Sequence, residues 1–336
     1  MKSRDKLNIA VLGAGSWGGT LAYHLSKKNY NVLIWTFSTE EFKNLSQNRT
    51  LLRPAKLKFN KHIKITNNIS DIKDSEVIII AVPGKAFEST IKRVTKLKLK
   101  PNCIFISATK GIDSHCHRPS QLLTKYLKKY NFAILSGPNI ALDVLSNSPA
   151  ISVIACKNKA VGLKLQSILS TKNFRIYTNT DATGIEIAGA LKNVIAIASG
   201  MCDGFGFNIS SKAALISRGL IEIGKVAVAE GAKSETLLSA AGIGDLIATC
   251  CSPNSRNYKV GYALAKGKKL KNILHELGEV AEGVETVKSM HKLVKKHKIK
   301  TPIADAVYEI IVKNKNPKTV LKQLLNRPLP KQEIEL

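Results

Sequence analysis

Lys192 lies in an almost entirely apolar run, EIAGALKNVIAIASG, which covers residues 186–200. A helix formed by this run has no broad polar face, and a helix that is apolar nearly all round is usually buried. Burial disfavours the charged ammonium and lowers the lysine pKa, which makes the amine a candidate proton acceptor near neutral pH. The alternative is a lysine whose stem covers apolar surface while its amine reaches water. The stretch by itself favours that alternative, because most lysines are exposed.

A glycine-rich turn near the start of the chain matches a dinucleotide-binding loop. Gly13, Gly15 and Gly18 fit the pattern G-x-G-x-x-G, directly after an apolar strand and at the start of a helical pattern. Gly13 permits the tight turn, Gly15 lets a pyrophosphate approach the backbone, and Gly18 lets helix and strand pack closely. The helix N-terminus faces the negative charge of the phosphates. This turn predicts a site for NAD or NADP.

The residues do not decide between the two dinucleotides. An acid that binds the ribose hydroxyls usually ends the second strand, and here that position carries Thr36, Phe37 and Ser38. Glu40 and Glu41 follow slightly beyond, and no arginine is present there to favour a 2′-phosphate. The preference for NAD or NADP is therefore open.

Two polar segments follow neighbouring predicted strands. Lys110 belongs to ATKG after the fourth predicted strand, and Gly137 and Asn139 belong to SGPN after the fifth. Ligands of open α/β sheets bind at the carboxyl edge, where these segments lie. Lys110 is therefore a candidate site residue, with an exposed loop lysine as the alternative.

A third cluster, AAGIGDLIATCCSPNSRN, covers residues 240–257. Its glycines flank a loop that delivers Asp245, and Ser255, Arg256 and Asn257 open the following helix. Arginine and amide side chains at a helix N-terminus form a phosphate clamp. The alternative is a capped loop in which Asp245 and Ser255 satisfy backbone donors. A separate stretch, Ser114-His-Cys-His, has no second ligand pair at suitable spacing, so we expect no metal site.

The composition of the chain indicates which classes of partner to expect. The chain has 336 residues and a formal net charge of +28, which suits nucleic acid, a membrane surface or an anionic substrate. The basic residues are scattered and aromatic residues make up 6%, so we expect a lysine-rich solvated surface that attracts a phosphate-bearing small molecule, and no nucleic-acid partner. No apolar run is read as approaching 18 residues, so we expect no integral membrane association and no signal peptide. Six cysteines without disulfide-scaffold spacing indicate a reduced cytoplasm.

The pattern of apolar runs predicts an α/β protein, an N-terminal Rossmann-type doubly wound sheet followed by an all-helical C-terminal domain. Strands are predicted at 8–15, 31–36, 76–83, 103–111, 132–137, 151–156 and 174–178, the last closing the sheet. Helical runs are predicted at 184–200, 211–231, 234–239, 257–267, 282–297 and 302–313. We therefore expect a dinucleotide-binding domain at 1–180 and a substrate-binding and catalytic domain at 181–336, with a loosely held tail from 327 onward.

Seven motifs together resemble one family. GAGSWG, ATKG, SGPN, GALKNV, AAGIGDL, SRN and VAEGVET occur in this order between residues 8 and 313 and resemble the bacterial-type NAD(P)-dependent glycerol-3-phosphate dehydrogenases. The resemblance implies reversible hydride transfer between NAD(P)H and dihydroxyacetone phosphate, which gives sn-glycerol 3-phosphate for glycerophospholipid synthesis. The residues leave the oligomeric state open, with a homodimer as one candidate.

The resemblance implies a role for each matched residue. Lys192 matches the catalytic proton acceptor, Lys110 the second active-site lysine, and Asp245 the acid near the substrate. Further substrate contacts are implied for Gly137, Asn139, Ser255, Arg256 and Asn257, and cofactor contacts for Ser16, Trp17, Lys110, Ala141, Arg256, Val280 and Glu282. Asn139 stands where threonine is common, and Phe37 stands near a position that is often basic, so both depart from the family pattern.

Three other functions are compatible with a nucleotide-binding domain followed by a helical domain. A related two-domain dehydrogenase acting on another small hydroxy acid or phosphate would differ in substrate profile. A redox-sensing nucleic-acid binder would show salt-dependent DNA affinity without turnover. A catalytically inactive scaffold is the third alternative.

Overall fold

A computed structural model describes residues 6–278, 280–328 and 332. The chain divides into two compact units. The first contains residues up to Thr109, Pro119–Leu135 and Asn139–Ala182; the second contains Lys110–Arg118, Ser136–Pro138 and the chain from Thr183 onward. Two short segments of the predicted first domain thus belong to the second unit. The functional division at residue 180 remains a prediction, and the tail expected beyond residue 328 lies, apart from residue 332, outside the described residues.

Ten strands are present between residues 8 and 179 of the described chain. They are β1 (Asn8–Leu12), β2 (Asn31–Trp35), β3 (Thr50–Leu51), β4 (Leu57–Lys58), β5 (Ile63–Thr66), β6 (Val77–Ile80), β7 (Ile104–Ser107), β8 (Asn131–Ser136), β9 (Ala150–Ala155) and β10 (Phe174–Asn179). Eight of them form one sheet in the order β10-β9-β8-β7-β6-β1-β2-β5, and β3 and β4 form an antiparallel pair. β1 pairs in parallel with both β2 and β6, so that Leu12 lies opposite Trp35 and Ile80.

The strand order reverses between β1 and β6. Open α/β sheets bind ligands at the carboxyl ends of the strands next to such a reversal. The central strands are buried because apolar residues cover both of their faces, as in the VIII sequence of β6. This arrangement confirms the Rossmann-type sheet that the apolar runs predict.

The predicted strands are all present, but the pattern missed three. β10 lies at one edge of the sheet, as predicted, and the other edge is β5, which was not predicted. β5 reads IKIT, with an exposed lysine between its isoleucines, so it lacks the continuous apolar run of a central strand. β3 and β4 have two residues each, which is too short for a period-two pattern to show.

Six α-helices belong to the first unit: α1 (Ser16–Ser26), α2 (Thr39–Asn48), α3 (Gly84–Val94), α4 (Pro119–Leu127), α5 (Ala141–Leu145) and α6 (Lys159–Leu169). The unit also has a 3₁₀ turn at Ile69–Ile72. Side-chain caps begin two of these α-helices. The Ser38 hydroxyl accepts the Glu41 N–H at the start of α2, and the Asn158 amide oxygen accepts the Val161 N–H at the start of α6.

From residue 182 onward, every regular element within the described residues is helical. The α-helices are α7 (Ala182–Gly204), α8 (Ile209–Ala229), α9 (Asp245–Cys251), α10 (Arg256–Ala265), α11 (Leu270–Leu277), α12 (Glu282–His297), α13 (Pro302–Ile311) and α14 (Pro317–Leu325). A 3₁₀ turn at Ser234–Leu238 and a π-helical turn at Ala240–Gly244 precede α9. The helical C-terminal half is confirmed; α9, α11 and α14 were not predicted.

Helix α7 forms the centre of the second unit. Its apolar side chains pack in one core with those of α8, α10, α12 and α13. By length and composition α7 could cross a membrane, yet its most apolar 18-residue window is entirely buried inside the protein. A core helix of a water-soluble protein has the same length and composition, so α7 is only weak evidence for a membrane span.

Candidate active site

One carboxylate joins two lysines in the second unit. Lys192 Nζ donates to Asp245 Oδ1 at 2.5 Å, and Lys110 Nζ donates to Asp245 Oδ2 at 2.9 Å. Lys110 also donates to the Gly137 carbonyl oxygen at 2.7 Å. The sequence predicted these four residues from four separate motifs, and the structure brings them together. The Asp245 carboxylate therefore binds two lysines and not backbone N–H groups. The capped-loop alternative is wrong for this residue.

The Lys192 ammonium is held inside the protein. Its side chain is 7% exposed, and that of Asp245 is 2% exposed. The Thr249 hydroxyl accepts a second hydrogen bond from Lys192 at 2.6 Å, and the same hydroxyl donates to the Asp245 carbonyl oxygen at 2.7 Å. Because the amine points to these interior partners and not to water, the snorkelling alternative is wrong.

Burial lowers the pKa of Lys192 to about 8. The loss of hydration dominates this pKa shift, the Asp245 carboxylate opposes it, and the Lys110 charge adds to it. A lysine with a pKa near 8 exchanges a proton readily close to neutral pH. The site thus contains a side chain suited to both donating and accepting a proton.

A tight turn delivers Asp245 to the two lysines. The π-helical turn at Ala240–Gly244 leads directly into α9, whose first residue is Asp245. A Cβ atom on Gly242 would lie 2.7 Å from the Leu237 Cα atom, so this position has no room for a side chain. Gly242 is therefore a packing requirement of the turn that precedes the acid, whereas a Cβ atom on Gly244 would make only ordinary contacts.

The N-terminus of α10 presents the residues of the predicted phosphate clamp. The Ser255 hydroxyl caps the helix by accepting the Tyr258 N–H, and exposed Arg256 is the first helical residue. Buried Asn257 donates from its amide to Asn193 Oδ1 at 2.9 Å and accepts the Gly283 N–H at 2.9 Å. Asn257 thus connects α7, α10 and α12, which leaves its second amide hydrogen for other contacts.

The glycine turn of the first unit fits a dinucleotide. Gly13 has a φ of +111°, and a Cβ atom there would lie 2.6 Å from the Ala81 carbonyl oxygen. Gly18 packs against the Gly13 backbone, whereas nothing lies within 4 Å of the position of a Cβ atom on Gly15. The turn is therefore closed where helix and strand pack and open where a pyrophosphate would approach the N-terminus of α1.

The end of β2 carries an acid after all. The Thr36 hydroxyl donates to the Glu41 carboxylate, which comes back to the strand end from the first turn of α2. Phe37 is 69% exposed, and the Arg93 guanidinium carbon lies 4.7 Å from the centre of its ring. An acidic and a basic group are thus both present in this region, although the local sequence showed neither at the strand end.

The remaining predicted contact residues lie at the ends of helices or strands. Ser16, Ala141 and Glu282 are the first residues of α1, α5 and α12, and Val280 shortly precedes α12. The Trp17 ring packs edge-on against Phe174 in the core of the first unit. The Asn139 amide binds β9 through the Ile151 carbonyl oxygen and the Ser152 hydroxyl. Their roles in binding remain predictions.

Sequence reasoning missed Thr249 and Asn193, and it placed Glu41 beyond the strand end without expecting its return to Thr36. A signal for Thr249 was present, because it lies four residues after Asp245 on one helix and therefore on the same face. Asn193 directly follows Lys192 but binds a different helix, which no spacing indicates. Within the described residues, no group of three or more His, Cys, Asp or Glu side chains is placed to hold a metal ion.

Comparison with known proteins covers nearly the whole chain. The family model of the NAD-dependent glycerol-3-phosphate dehydrogenase N-terminus matches residues 8–162, and that of the C-terminus matches residues 181–322. A Limosilactobacillus reuteri protein named glycerol-3-phosphate dehydrogenase (NAD(P)+) is 37% identical, with 96% of this chain and 97% of that one covered. A Leptospira biflexa protein of the same name is also 37% identical, with coverages of 98% and 100%.

A solved structure agrees with these sequence relatives. The crystal structure of glycerol-3-phosphate dehydrogenase from Coxiella burnetii superimposes with a TM-score of 0.91 at 32% sequence identity. The match covers 96% of this chain and 99% of that one.

Proposed function

This chain belongs to the NAD-dependent glycerol-3-phosphate dehydrogenase family, and we propose on that premise that it interconverts dihydroxyacetone phosphate and sn-glycerol 3-phosphate with NAD(P)H or NAD(P)+. The observation that carries the assignment is the buried Lys192 ammonium, which contacts Asp245 and Thr249 and has a pKa of about 8. A carbonyl reduction needs a proton for the oxygen atom, and this group supplies it.

Lys192 is the proton donor for ketone reduction. It has three N–H donors, of which Asp245 and Thr249 take two, and we assign the third to the substrate oxygen. Negative charge grows on that oxygen during reduction, so a fixed ammonium stabilises it and then transfers the proton. In the reverse direction the neutral amine accepts the hydroxyl proton of sn-glycerol 3-phosphate.

Lys110 and Asp245 position this group and adjust its charge. The Asp245 carboxylate favours the protonated form of Lys192, and the neighbouring Lys110 ammonium disfavours it. Lys110 is also fixed to the Gly137 carbonyl oxygen, which holds its charge next to the reacting oxygen. The two lysines thus supply positive charge where the alkoxide develops.

The substrate phosphate binds at the start of α10. Arg256 offers paired donors to two phosphate oxygens, and the helix N-terminus adds backbone N–H groups. Ser255 and the second amide hydrogen of Asn257 complete this set, with Gly137 and Asn139 as further predicted contacts. Anchoring the phosphate restricts the position of the carbonyl group, which lowers the barrier through orientation.

The dinucleotide binds to the glycine turn, with its pyrophosphate at Gly13, Gly15 and Gly18 and further contacts from Ser16 and Trp17. When bound, its nicotinamide supplies or accepts the hydride. The further predicted contacts are Phe37, Lys110, Ala141, Arg256, Val280 and Glu282. Because Glu41 favours a ribose hydroxyl and Arg93 favours a 2′-phosphate, we expect both NAD and NADP to be accepted.

We place the enzyme in the cytoplasm as a supplier of sn-glycerol 3-phosphate for glycerophospholipid synthesis. All six cysteines are free thiols, which is consistent with a reducing compartment. A homodimer remains a prediction, and size-exclusion chromatography with light scattering tests it.

Purified protein tests the assignment through the oxidation of NADH and NADPH with and without dihydroxyacetone phosphate. We expect substrate-dependent oxidation, and a loss of about 10²- to 10⁴-fold in kcat for Lys192→Met. Lys295→Met removes an exposed lysine from α12 and is the matched control. Cofactor fluorescence shows whether each variant still binds NADH. Normal turnover by a folded Lys192→Met protein would contradict the role of Lys192, and turnover of another hydroxy acid alone would favour a related dehydrogenase.

A further inference from the structure

Three side chains outside the reacting group form a second charged cluster in the same unit. Lys212 Nζ donates to Asp203 Oδ2 at 2.6 Å, and the Tyr258 hydroxyl donates to the same oxygen at 2.6 Å. The Lys212 ammonium also lies 5.1 Å from the centre of the Tyr258 ring. Burial and the Asp203 carboxylate raise the pKa of Tyr258, so the hydroxyl remains protonated and keeps donating.

The cluster connects three helices, two of which carry the proposed active-site residues. Asp203 lies near the end of α7, the helix of Lys192, and Lys212 lies on α8. Tyr258 is the third residue of α10, two positions after Arg256. Its backbone N–H is the group that the Ser255 hydroxyl caps. A single tyrosine is therefore bound on one side by the cap of α10 and on the other by α7 and α8.

Helices α7 and α10 also approach each other unusually closely. A Cβ atom on Gly200 would lie 2.8 Å from the Tyr258 carbonyl carbon, and one on Gly261 would lie 2.9 Å from the Met201 nitrogen. Such contacts leave no space for side chains, so the two backbones touch at this crossing. A close crossing limits sliding between the helices, and the polar cluster limits rotation of the first turn of α10.

The Lys212 ammonium contacts the Asp203 carboxylate and the Tyr258 ring. Its residue is 9% exposed, and a lysine is rarely so deeply buried without a charged partner. Asp203 supplies that partner, and the bond to Tyr258 uses the remaining capacity of the same carboxylate oxygen. Burying this charge is costly, and the Asp203 carboxylate together with the Tyr258 ring offsets part of that cost.

We propose that Asp203, Lys212 and Tyr258 are positioning residues that hold Arg256 and the N-terminus of α10 in the geometry that binds the substrate phosphate. This inference rests on the proposed function, because it assigns the phosphate to α10. The three residues do not touch the substrate. They act through the first turn of α10, which they connect to the helix that carries Lys192.

The test compares Tyr258→Phe, Asp203→Asn and Lys212→Met with the wild-type protein. We expect KM for dihydroxyacetone phosphate to rise about tenfold or more, with a smaller fall in kcat, because the displaced clamp binds the phosphate less tightly and orients the carbonyl group less well while the proton donor stays in place. Reduction of dihydroxyacetone, which has no phosphate, should remain at the wild-type rate. Lys212→Arg keeps the charge and should restore most of the affinity.

A second measurement does not depend on turnover. Calorimetry of NADH-saturated protein with sn-glycerol 3-phosphate, and separately with inorganic phosphate, should show weaker binding in the three variants. Combining Tyr258→Phe with Arg256→Ala should add little to the effect of Arg256→Ala alone, because both act on the same contact. Val307→Ala, a core change on α13, controls for a general loss of stability.

The outcomes separate this inference from the proposed function. Unchanged KM and unchanged phosphate affinity in a folded Tyr258→Phe protein would overturn the positioning role. Equal losses for dihydroxyacetone and its phosphate would also overturn it, because they would indicate a structural effect on the whole site. If the wild-type protein does not turn over dihydroxyacetone phosphate, the proposed function fails, while the calorimetric comparison with inorganic phosphate still decides the role of the cluster.

Discussion

Asp245 receives a different lysine on each carboxylate oxygen, which makes it the central electrostatic group of the site. Its charge partly offsets the cost of burying Lys192 and holds the pKa of that lysine at about 8 instead of lower. Thr249 contributes a neutral acceptor to the same ammonium. Asp245 thus affects the pKa of Lys192 through its charge, whereas Thr249 fixes the position of the ammonium through a hydrogen bond.

Asp245→Asn should move the pH profile of ketone reduction to lower pH. Reduction requires protonated Lys192, so kcat/KM falls as pH rises through the lysine pKa of about 8. Removing the carboxylate charge lowers that pKa, and the decline then begins at a lower pH. Oxidation of sn-glycerol 3-phosphate requires the neutral amine, so its rate should begin to rise at a lower pH in the variant.

Thr249→Val should shift the same profile less than Asp245→Asn does, because it removes a neutral hydrogen bond and no charge. Thr249→Ser keeps the hydroxyl and is the matched control. Steady-state rates over a pH series in both reaction directions provide the measurement. A profile unchanged in Asp245→Asn would show that a different group limits proton transfer.

Arg93 and Glu41 should have opposite effects on dinucleotide preference. The Arg93 guanidinium lies over Phe37, and Glu41 accepts a hydrogen bond from Thr36 at the end of β2. Arg93→Ala should weaken NADPH binding about tenfold and leave NADH nearly unchanged, because only NADPH has the 2′-phosphate. Glu41→Gln should favour NADPH relative to NADH.

Fluorescence titration of both reduced dinucleotides measures this preference without catalysis. Lys92→Ala removes the neighbouring positive charge, which pairs with Glu88, and is the control for the general electrostatic field. Equal losses for both dinucleotides in Arg93→Ala would assign Arg93 to contacts that they share.

At the scale of elements, helix α13 is capped from another helix. Its N-terminal Thr301 makes no capping bond, and buried Glu222 of α8 accepts the Ile303 and Ala304 N–H groups at 2.8 and 3.0 Å. Burial nevertheless raises the pKa of Glu222 to about 7, with a further increase from Asp305 and opposing effects from the two N–H groups and Arg327. The cap is therefore sensitive to pH near neutrality.

This cap should make stability fall as pH rises from about 4.5 to about 7. The folded protein holds the Glu222 proton over that range and the unfolded chain releases it, so higher pH favours unfolding. Glu222→Gln removes this pH dependence. Across the range, the free energy of unfolding of the variant should rise by up to about 3 kcal/mol relative to that of the wild type. Urea unfolding at several pH values measures it, with exposed Glu285→Gln as control. A difference in the free energy of unfolding between Glu222→Gln and wild type that stays constant over this pH range would contradict the expectation.

At the scale of the whole molecule, the net charge of +28 should accelerate the capture of an anionic substrate. We expect kcat/KM for dihydroxyacetone phosphate to fall about two- to tenfold between about 20 mM and about 200 mM salt, because ions screen the attraction. The rate with uncharged dihydroxyacetone should change little. Salt independence for both substrates would show that the charge does not steer the phosphate.

Much of the architecture could be predicted from sequence because it depends on local patterns. Continuous apolar runs identified the central strands, since strands buried on both faces need apolar residues throughout. β5 was missed because the exposed Lys64 interrupts its apolar pattern. α11 was overlooked although Leu270, Ile273, Leu274 and Leu277 have the spacing of one helix face, because only eight residues carry that pattern.

The sequence by itself determined the glycine turn, the apolar environment of Lys192 and the identity of the acidic and basic site residues. Each of these depends on neighbours in the chain, where spacing alone decides the geometry. Only the tertiary structure decided that Lys110 reaches Asp245, 135 residues away, that Thr249 shares the Lys192 ammonium, and that Glu41 returns to β2. Such pairings depend on how helices and loops pack, and packing brings together residues whose separation in sequence carries no information about their distance in space.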